Sequence, residues 1–235
     1  MKLSITILIT ACVVAFVCFI SCKKESLNPV TRVFDVNGFK KVIAGDDHEI
    51  IIARGTAFSV QAKGDVADLN DLRLVVNEGT LKIDYPSYSS YRKRVHIIIT
   101  MPELVAIDFS GSAYGNISGF KQQGNFSINL SGAVKFIVTA SATLIDVDVS
   151  GTSKLTLNGT AATVVADISG QAKYYGYAVI GTDNAIVKAT GQGDIHVSVD
   201  KVFTADASGE SRISYKGEPT TKNTTQSGFA LIVKE

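Results

Sequence analysis

Beyond position 22 the chain has no cysteine at all; its three cysteines, Cys12, Cys18 and Cys22, all fall at the start. That excludes a disulfide framework and thiol chemistry for everything that follows. The charges nearly cancel, with 23 Lys and Arg against 22 Asp and Glu, a net charge of +1. No basic stripe exists on which nucleic-acid binding would rest. The three histidines, His48, His96 and His196, are far apart in sequence. Each is expected on the surface, in a turn or a strand, not in a ligand set. No His/Cys pair has zinc spacing, and there is no nucleophile elbow or phosphate-cradling loop. Helical periodicity is nearly absent. Only Asp65 to Arg73, apolar at 66, 69 and 72, reads as one or two helical turns.

What is present at the start is a targeting pattern. Lys2 precedes an apolar run from Ile5 to Ile20, which ends in Ser21-Cys22. The run is too short to be read as a bilayer span of ~20 residues. A small residue directly before a cysteine resembles the lipobox of bacterial lipoproteins. Residues 1–21 are therefore expected to be a lipoprotein signal peptide, with Cys22 the acylated residue and 22–32 a polar tether. The implied localisation is the outer membrane of a gram-negative bacterium, facing the periplasm or the cell surface.

The remainder is organised by a repeat. Seven short apolar strands end in Ser-Gly or Thr-Gly, at Gly111, Gly132, Gly151, Gly170, Gly191, Gly209 and Gly228, at intervals of 18 to 21 residues. A fixed period near 20 residues marks a stacked-coil architecture. Within each unit the alternation is strict, as in Ile145-Asp146-Val147-Asp148-Val149, so alternate side chains face opposite sides. The inward pairs are Ile107/Phe109, Ile128/Leu130, Val147/Val149, Ala166/Ile168, Val187/Ala189 and Ala205/Ala207. Their decreasing size predicts an interior that tapers toward the C-terminus. The fold class is all-β, a β-solenoid with coils of about 20 residues and two or three strands each. Lys154–Leu157 reads as a strand closed by an Asn158-Gly159 turn. Residues 33–103 form an N-terminal β region that caps or continues the solenoid of 104–235.

Two residue groups are candidates for a site. Two positions before each Ser-Gly stand Asp108, Asp148, Asp167 and Asp206, with Asn129 and Lys188 in the same place. Stacked, they form an outward acidic ladder. It is either a row of carboxylates for cations or sugar hydroxyls, or a turn signal in which Asp and Ser bond nearby amides. The second group is aromatic: Tyr88 and Tyr91 in a loop ending in Arg92-Lys93-Arg94, and Tyr174, Tyr175 and Tyr177 within one coil. Exposed tyrosines are common platforms for glycans and protein partners. No catalytic residue, metal set or cofactor is identified.

Four segments in order carry a family resemblance: Val36-Asn37-Gly38-Phe39-Lys40-Lys41-Val42, Asn77-Glu78-Gly79-Thr80-Leu81-Lys82-Ile83, Ile99-Thr100-Met101-Pro102-Glu103-Leu104, and Ser110-Gly111 with its successors. Together they resemble the putative auto-transporter adhesin head GIN domain family of gram-negative envelope lipoproteins. The resemblance covers roughly 33–234, making 33–235 one family domain. It implies a right-handed β-solenoid without enzymatic activity. The expected function is a lipid-anchored envelope protein that presents the solenoid for binding, adhesion or scaffolding. Its partners would be the membrane, through Cys22, and a glycan or protein ligand. Two alternatives stand beside it: a polysaccharide lyase or hydrolase, and a self-associating structural element of the envelope.

Overall fold

A computed structural model of the chain describes residues 25–121 and 124–235. The expected signal peptide, residues 1–21, and Cys22 lie outside the described residues. From the N-terminus come β1 (Val30–Phe34), β2 (Lys41–Ala44), β3 (His48–Arg54), β4 (Ser59–Gly64), α1 (Val66–Asp71), β5 (Arg73–Asn77), β6 (Thr80–Asp84) and β7 (Val95–Met101). The repeat region follows with β8 (Ala106–Phe109), β9 (Tyr114–Lys121), β10 (Asn125–Leu130), β11 (Lys135–Val149), β12 (Lys154–Ile168) and β13 (Lys173–Ile180). It ends with β14 (Asn184–Ala189), β15 (Asp194–Ser198), β16 (Val202–Ala207), β17 (Arg212–Lys216), β18 (Thr221–Gln226) and β19 (Leu231–Lys234).

These strands stack in two parallel columns, so each coil contributes two strands. The first column runs β6, β2, β8, β10, the second half of β11, the second half of β12, β14, β16, β18. Its eight steps of ~4.8 Å make a rod about 38 Å long. The second column runs β7, β3, β9, the first halves of β11 and β12, then β13, β15, β17, β19. The 15-residue strands β11 and β12 pass from the second column into the first without a break. Asn158-Gly159 is therefore not a turn. Gly159 has φ +129°, and a Cβ there would fall 1.8 Å from the Ala140 carbonyl oxygen. The glycine serves close backbone approach inside a strand.

The interior is the set of alternate residues predicted from the pattern. Each of the six inward pairs is 0–2 % exposed. Burying a Val or Ile side chain contributes roughly 1.5–3 kcal/mol, so these pairs are a major source of stability. The interior does not simply narrow toward the C-terminus: where Ala205 and Ala207 leave room, Phe203 and Tyr215 meet at 4.4 Å between ring centroids. Phe109 and Phe136 meet similarly at 4.7 Å nearer the middle.

The N-terminal region both continues and caps the rod. β2–β3 and β6–β7 are coils, but in inverted order. The β6–β7 coil lies outside β2–β3, and the chain then crosses back to resume at β8. Antiparallel β5 closes the first column on β6 through the hairpin Asn77–Thr80, with Glu78 and Gly79 at positive φ. Antiparallel β4 and β1 close the second column on β7. The expected helical turn is α1, capped by Asp65, whose carboxylate accepts from the Ala67 amide at 3.1 Å. It buries Leu69, with Leu72 just beyond it. At the other end, β18 puts Lys222, Thr224 and Gln226 in register with the inward Phe203, Ala205 and Ala207. All of β18 is exposed, so a polar layer finishes the rod. No helix among the described residues is long and apolar enough to cross a membrane.

Candidate functional site

The Ser-Gly turns join the first column to the second, and they stack as a main-chain ladder. The residue after each glycine donates its amide to the glycine carbonyl one coil earlier, as Thr152 does to Gly132 at 2.7 Å and Gln171 to Gly151 at 2.8 Å. In the β2–β3 coil Asp46 takes the place of the glycine, with φ +63°. Gln171, Gln192 and Glu210 add a side-chain ladder outside it, at 3.0 and 2.9 Å. The recurrent motif is thus held by its backbone.

The predicted acidic ladder is in register. Asp108, Asn129, Asp148, Asp167, Lys188 and Asp206 follow one another up the outward face of the first column. Burial, then the neighbouring Asp167, Asp146 and Asp108, raises the Asp148 carboxyl. Lys188 Nζ stands 3.9 Å from Asp167. Among the described residues no group of three or more His, Cys, Asp or Glu could hold a metal ion.

The outward face of the second column is different in kind. One row reads His96, Glu49, Tyr114, Lys135, Lys154, Lys173, Asp194, Arg212. The parallel row reads Ile98, Ile51, Asn116, Ile137, Thr156, Tyr175, His196, Ser214. Lysines on three adjacent coils, ~4.8 Å apart, therefore run beside an apolar and aromatic stripe. A shallow groove of about 480 Å³ lies between Glu49, Tyr114, Lys135, Ile137, Lys154 and Thr156. Farther along, His196 stacks on Tyr175 at 4.9 Å and meets the edge of Tyr177 at 5.0 Å. Lys154 and Lys216 lie over the Tyr175 and Tyr177 rings at 4.8 and 4.3 Å. His196 Nε2 is 3.2 Å from Asp194 Oδ1, a close approach without hydrogen-bond alignment.

At the cap end of the same face His96 sits between two carboxylates. Its Nδ1 is 2.5 Å from Glu49 and its Nε2 2.8 Å from Glu25. The His96 hydrogen bond is the main reason the Glu25 carboxyl lies below its ordinary value. Arg94 binds both Asp47 oxygens at 2.9 and 3.2 Å and reaches Glu25 at 3.3 Å. A cavity of about 420 Å³ adjoins this network.

The tyrosines separate. Tyr175 and Tyr177 are half-buried on the second face, but Tyr174 is fully buried. Strand alternation turns Tyr174 inward, and a Cβ at Gly176 would fall 2.3 Å from its hydroxyl, so glycine makes the room. It belongs to the core, not to an outward patch. Tyr88 and Tyr91 are 90 % and 92 % exposed. They tip the loop 85–94, which joins β6 to β7 where the coils from β8–β9 onward have a four-residue turn. That loop of ten residues interrupts the otherwise short turns. It stands five coils, about 24 Å, from Tyr175. His48 also departs from expectation: it is buried, 1 % exposed, at the inner corner of its coil.

The lysine row was missed, although a signal for it exists. At four of the six ladder positions the residue six places on is opposite in sign: Asp148 and Lys154, Asp167 and Lys173, Lys188 and Asp194, Asp206 and Arg212. From Asp108 to Asp167 the first face is consequently acidic, while the second face carries Lys135, Lys154 and Lys173.

The family model for the putative auto-transporter adhesin, head GIN domain, matches residues 38–219. The crystal structure of a putative adhesin from Bacteroides fragilis is similar, with a TM-score of 0.83 at 23% identity, over 90% of this chain and 99% of that one. A putative adhesin from Parabacteroides merdae gives 0.69 at 12% identity, over 90% and 98%. A putative lipid binding protein from Parabacteroides distasonis gives 0.69 at 18% identity, over 90% and 98%. These likenesses establish the fold. No curated protein matches the sequence.

Proposed function

The chain belongs to the putative auto-transporter adhesin, head GIN domain family, and we propose that it is a non-enzymatic, lipid-anchored envelope protein that displays its solenoid for adhesion. Its contact surface is the outward face of the second column, and its ligand there is an acidic polymer. The observation that carries this is the row Lys135, Lys154, Lys173 on adjacent coils beside Ile137, Tyr175 and His196. A straight, evenly spaced row of cations suits a linear polyanion such as a uronic-acid polysaccharide. The neighbouring rings and aliphatic side chains suit the apolar faces of its sugars. The adhesin reading also accords with the short connections beside the ladder carboxylates among the described residues, where a hydrolase or lyase groove needs long walling loops.

The test is retention of the purified chain on immobilised alginate against neutral dextran. Retention on alginate should fall steeply with salt. It should be lost in a Lys135→Glu, Lys154→Glu, Lys173→Glu variant that melts like the wild type. Equal retention on dextran, or retention unchanged by the triple substitution, contradicts the assignment.

A further inference from the structure

The inner corner of the coils is filled by small residues: Ala113, Val134, Ser153, Ala172 and Ser211 are all buried there. In the β2–β3 coil that place is taken by His48, one residue before the Glu49–Tyr114 register pair. A ring does not fit a corner sized for alanine, and the fold accommodates it by covering it with loop 85–94. Tyr85 lies 5.5 Å from the His48 ring. The Arg92 guanidinium lies 3.8 Å above the Tyr85 ring.

This cover leaves unsatisfied polar groups. His48 Nδ1 and Nε2, Tyr85 Oη and Arg92 Nε are buried and have no hydrogen-bond partner among the described residues. All three residues line one cavity of about 190 Å³, together with Asp46, Ser89 and Tyr88. Buried polar atoms without partners are costly, and several around one cavity imply that something polar enters it. The space exceeds one water, whose share of liquid volume is about 30 Å³.

The lining chemistry selects the occupant. Arg92 is already neutralised, with Nη1 3.0 Å from Asp71 and 3.8 Å from Asp68. Asp47 is taken by Arg94 at 2.9 Å. Burial holds His48 at a pKa of about 4, so its ring is neutral at pH 7, with one donor and one acceptor nitrogen. Tyr85 Oη both donates and accepts, and Arg92 Nε donates. An anion would meet Asp46 in the lining, and a cation would find the Asp68, Asp71 and Asp65 carboxylates already engaged by Arg92 and Lys93. What fits is a neutral molecule with several hydroxyls that both give and take hydrogen bonds. The exposed Tyr88 ring in the lining offers a flat apolar face beside it.

We propose that the cavity beneath loop 85–94 binds a single neutral sugar ring, either the terminal or branch residue of a glycan or a free monosaccharide. This site does not depend on the lysine row, which lies on a different face and takes charged polymer.

The experiment uses the full mature chain with methyl glycosides of glucose, galactose, mannose, fucose and N-acetylglucosamine as probes. Saturation-transfer NMR reads the glycoside, and the His48 ring signals read the protein. At least one glycoside should bind saturably with Kd of about 1 mM. Tyr88→Ala, at an exposed tip, should weaken it roughly tenfold, and His48→Phe, which keeps the ring against Tyr85, should abolish it. The triple lysine variant should bind as the wild type does. The same glycoside presented at the end of a trisaccharide separates glycan from free sugar as the source. No shift of His48 with any probe, or binding untouched by both Tyr88→Ala and His48→Phe, overturns the proposal. So does a crystal soaked with the glycosides in which the cavity holds only water.

Discussion

Replacing Gly151 with alanine tests whether the repeated glycines serve local turn conformation or the stacking of coils. Gly151 has φ +74°, and a Cβ there would stand 2.4 Å from the Gly132 carbonyl oxygen and 3.0 Å from its nitrogen. That carbonyl accepts the Thr152 amide at 2.7 Å, so it has no freedom to withdraw without breaking the ladder. Gly181 is the matched control, with φ +69° but nothing within 4 Å of a built Cβ. Left-handed backbone at a residue with a Cβ costs about 1–2 kcal/mol, and both variants incur it. Only Gly151→Ala adds overpacking against main chain, about 1–3 kcal/mol. At about 2–4 °C per kcal/mol for a domain of this size, Gly181→Ala should lower Tm by about 4 °C and Gly151→Ala by about 10 °C. Urea titration should give the same order, with an unchanged slope. Equal losses for the two variants would refute the stacking role and leave the glycines as ordinary turn formers.

Three further outcomes are expected. His48 titrates near pH 4 when folded against 6.5 when unfolded. Between these values protons bind the unfolded state preferentially, so stability is flat above pH 6.5 and declines toward pH 4, by about 3 kcal/mol at 1.36 per pH unit. His48→Phe should remove that decline from urea midpoints, and a slope that survives it contradicts the burial. Lys222→Val takes away the charge that end-to-end stacking would bury at the last coil. Sedimentation should show self-association of the variant at concentrations where the wild type stays monomeric, and a monomeric variant argues against Lys222 as the guard. Because the Asp148 carboxyl is raised, its charge costs stability at neutral pH. Asp148→Asn should therefore stabilise at pH 7, by no more than about 0.5 kcal/mol given solvent screening, and a destabilised variant denies the repulsion.

The rungs of the solenoid were legible because two simple periods coincide. Alternation by two sorts inward from outward residues, and the Ser-Gly spacing sets which residues stack. Val147, Ala166 and Val187 are in register for that reason alone. The inverted order of the first two coils was not legible. Neither carries Ser-Gly: one turn uses Asp46 in the left-handed conformation, the other the loop 85–94. The buried His48 was misread for the same cause, since a histidine after two aspartates looks like a turn, and only the register with Ala113 shows the corner to be internal. Asn158-Gly159 failed because the same dipeptide that forms a hairpin turn also permits close approach within a strand. Of the candidate surface, Tyr175 and Tyr177 were found from composition. The lysines beside them needed the six-residue charge alternation around the turn. The Glu25–His96–Glu49 contact joins residues 47 and 71 positions apart, which no local pattern carries.

The most direct test of outward display is protease shaving of intact cells carrying the full chain, with a periplasmic protein as leakage control. The account predicts that the solenoid is degraded while the control survives, and that Cys22→Ala releases the protein from the membrane fraction. Protection in intact cells, with digestion only after lysis, would contradict an adhesive role and place the second face toward a partner inside the envelope.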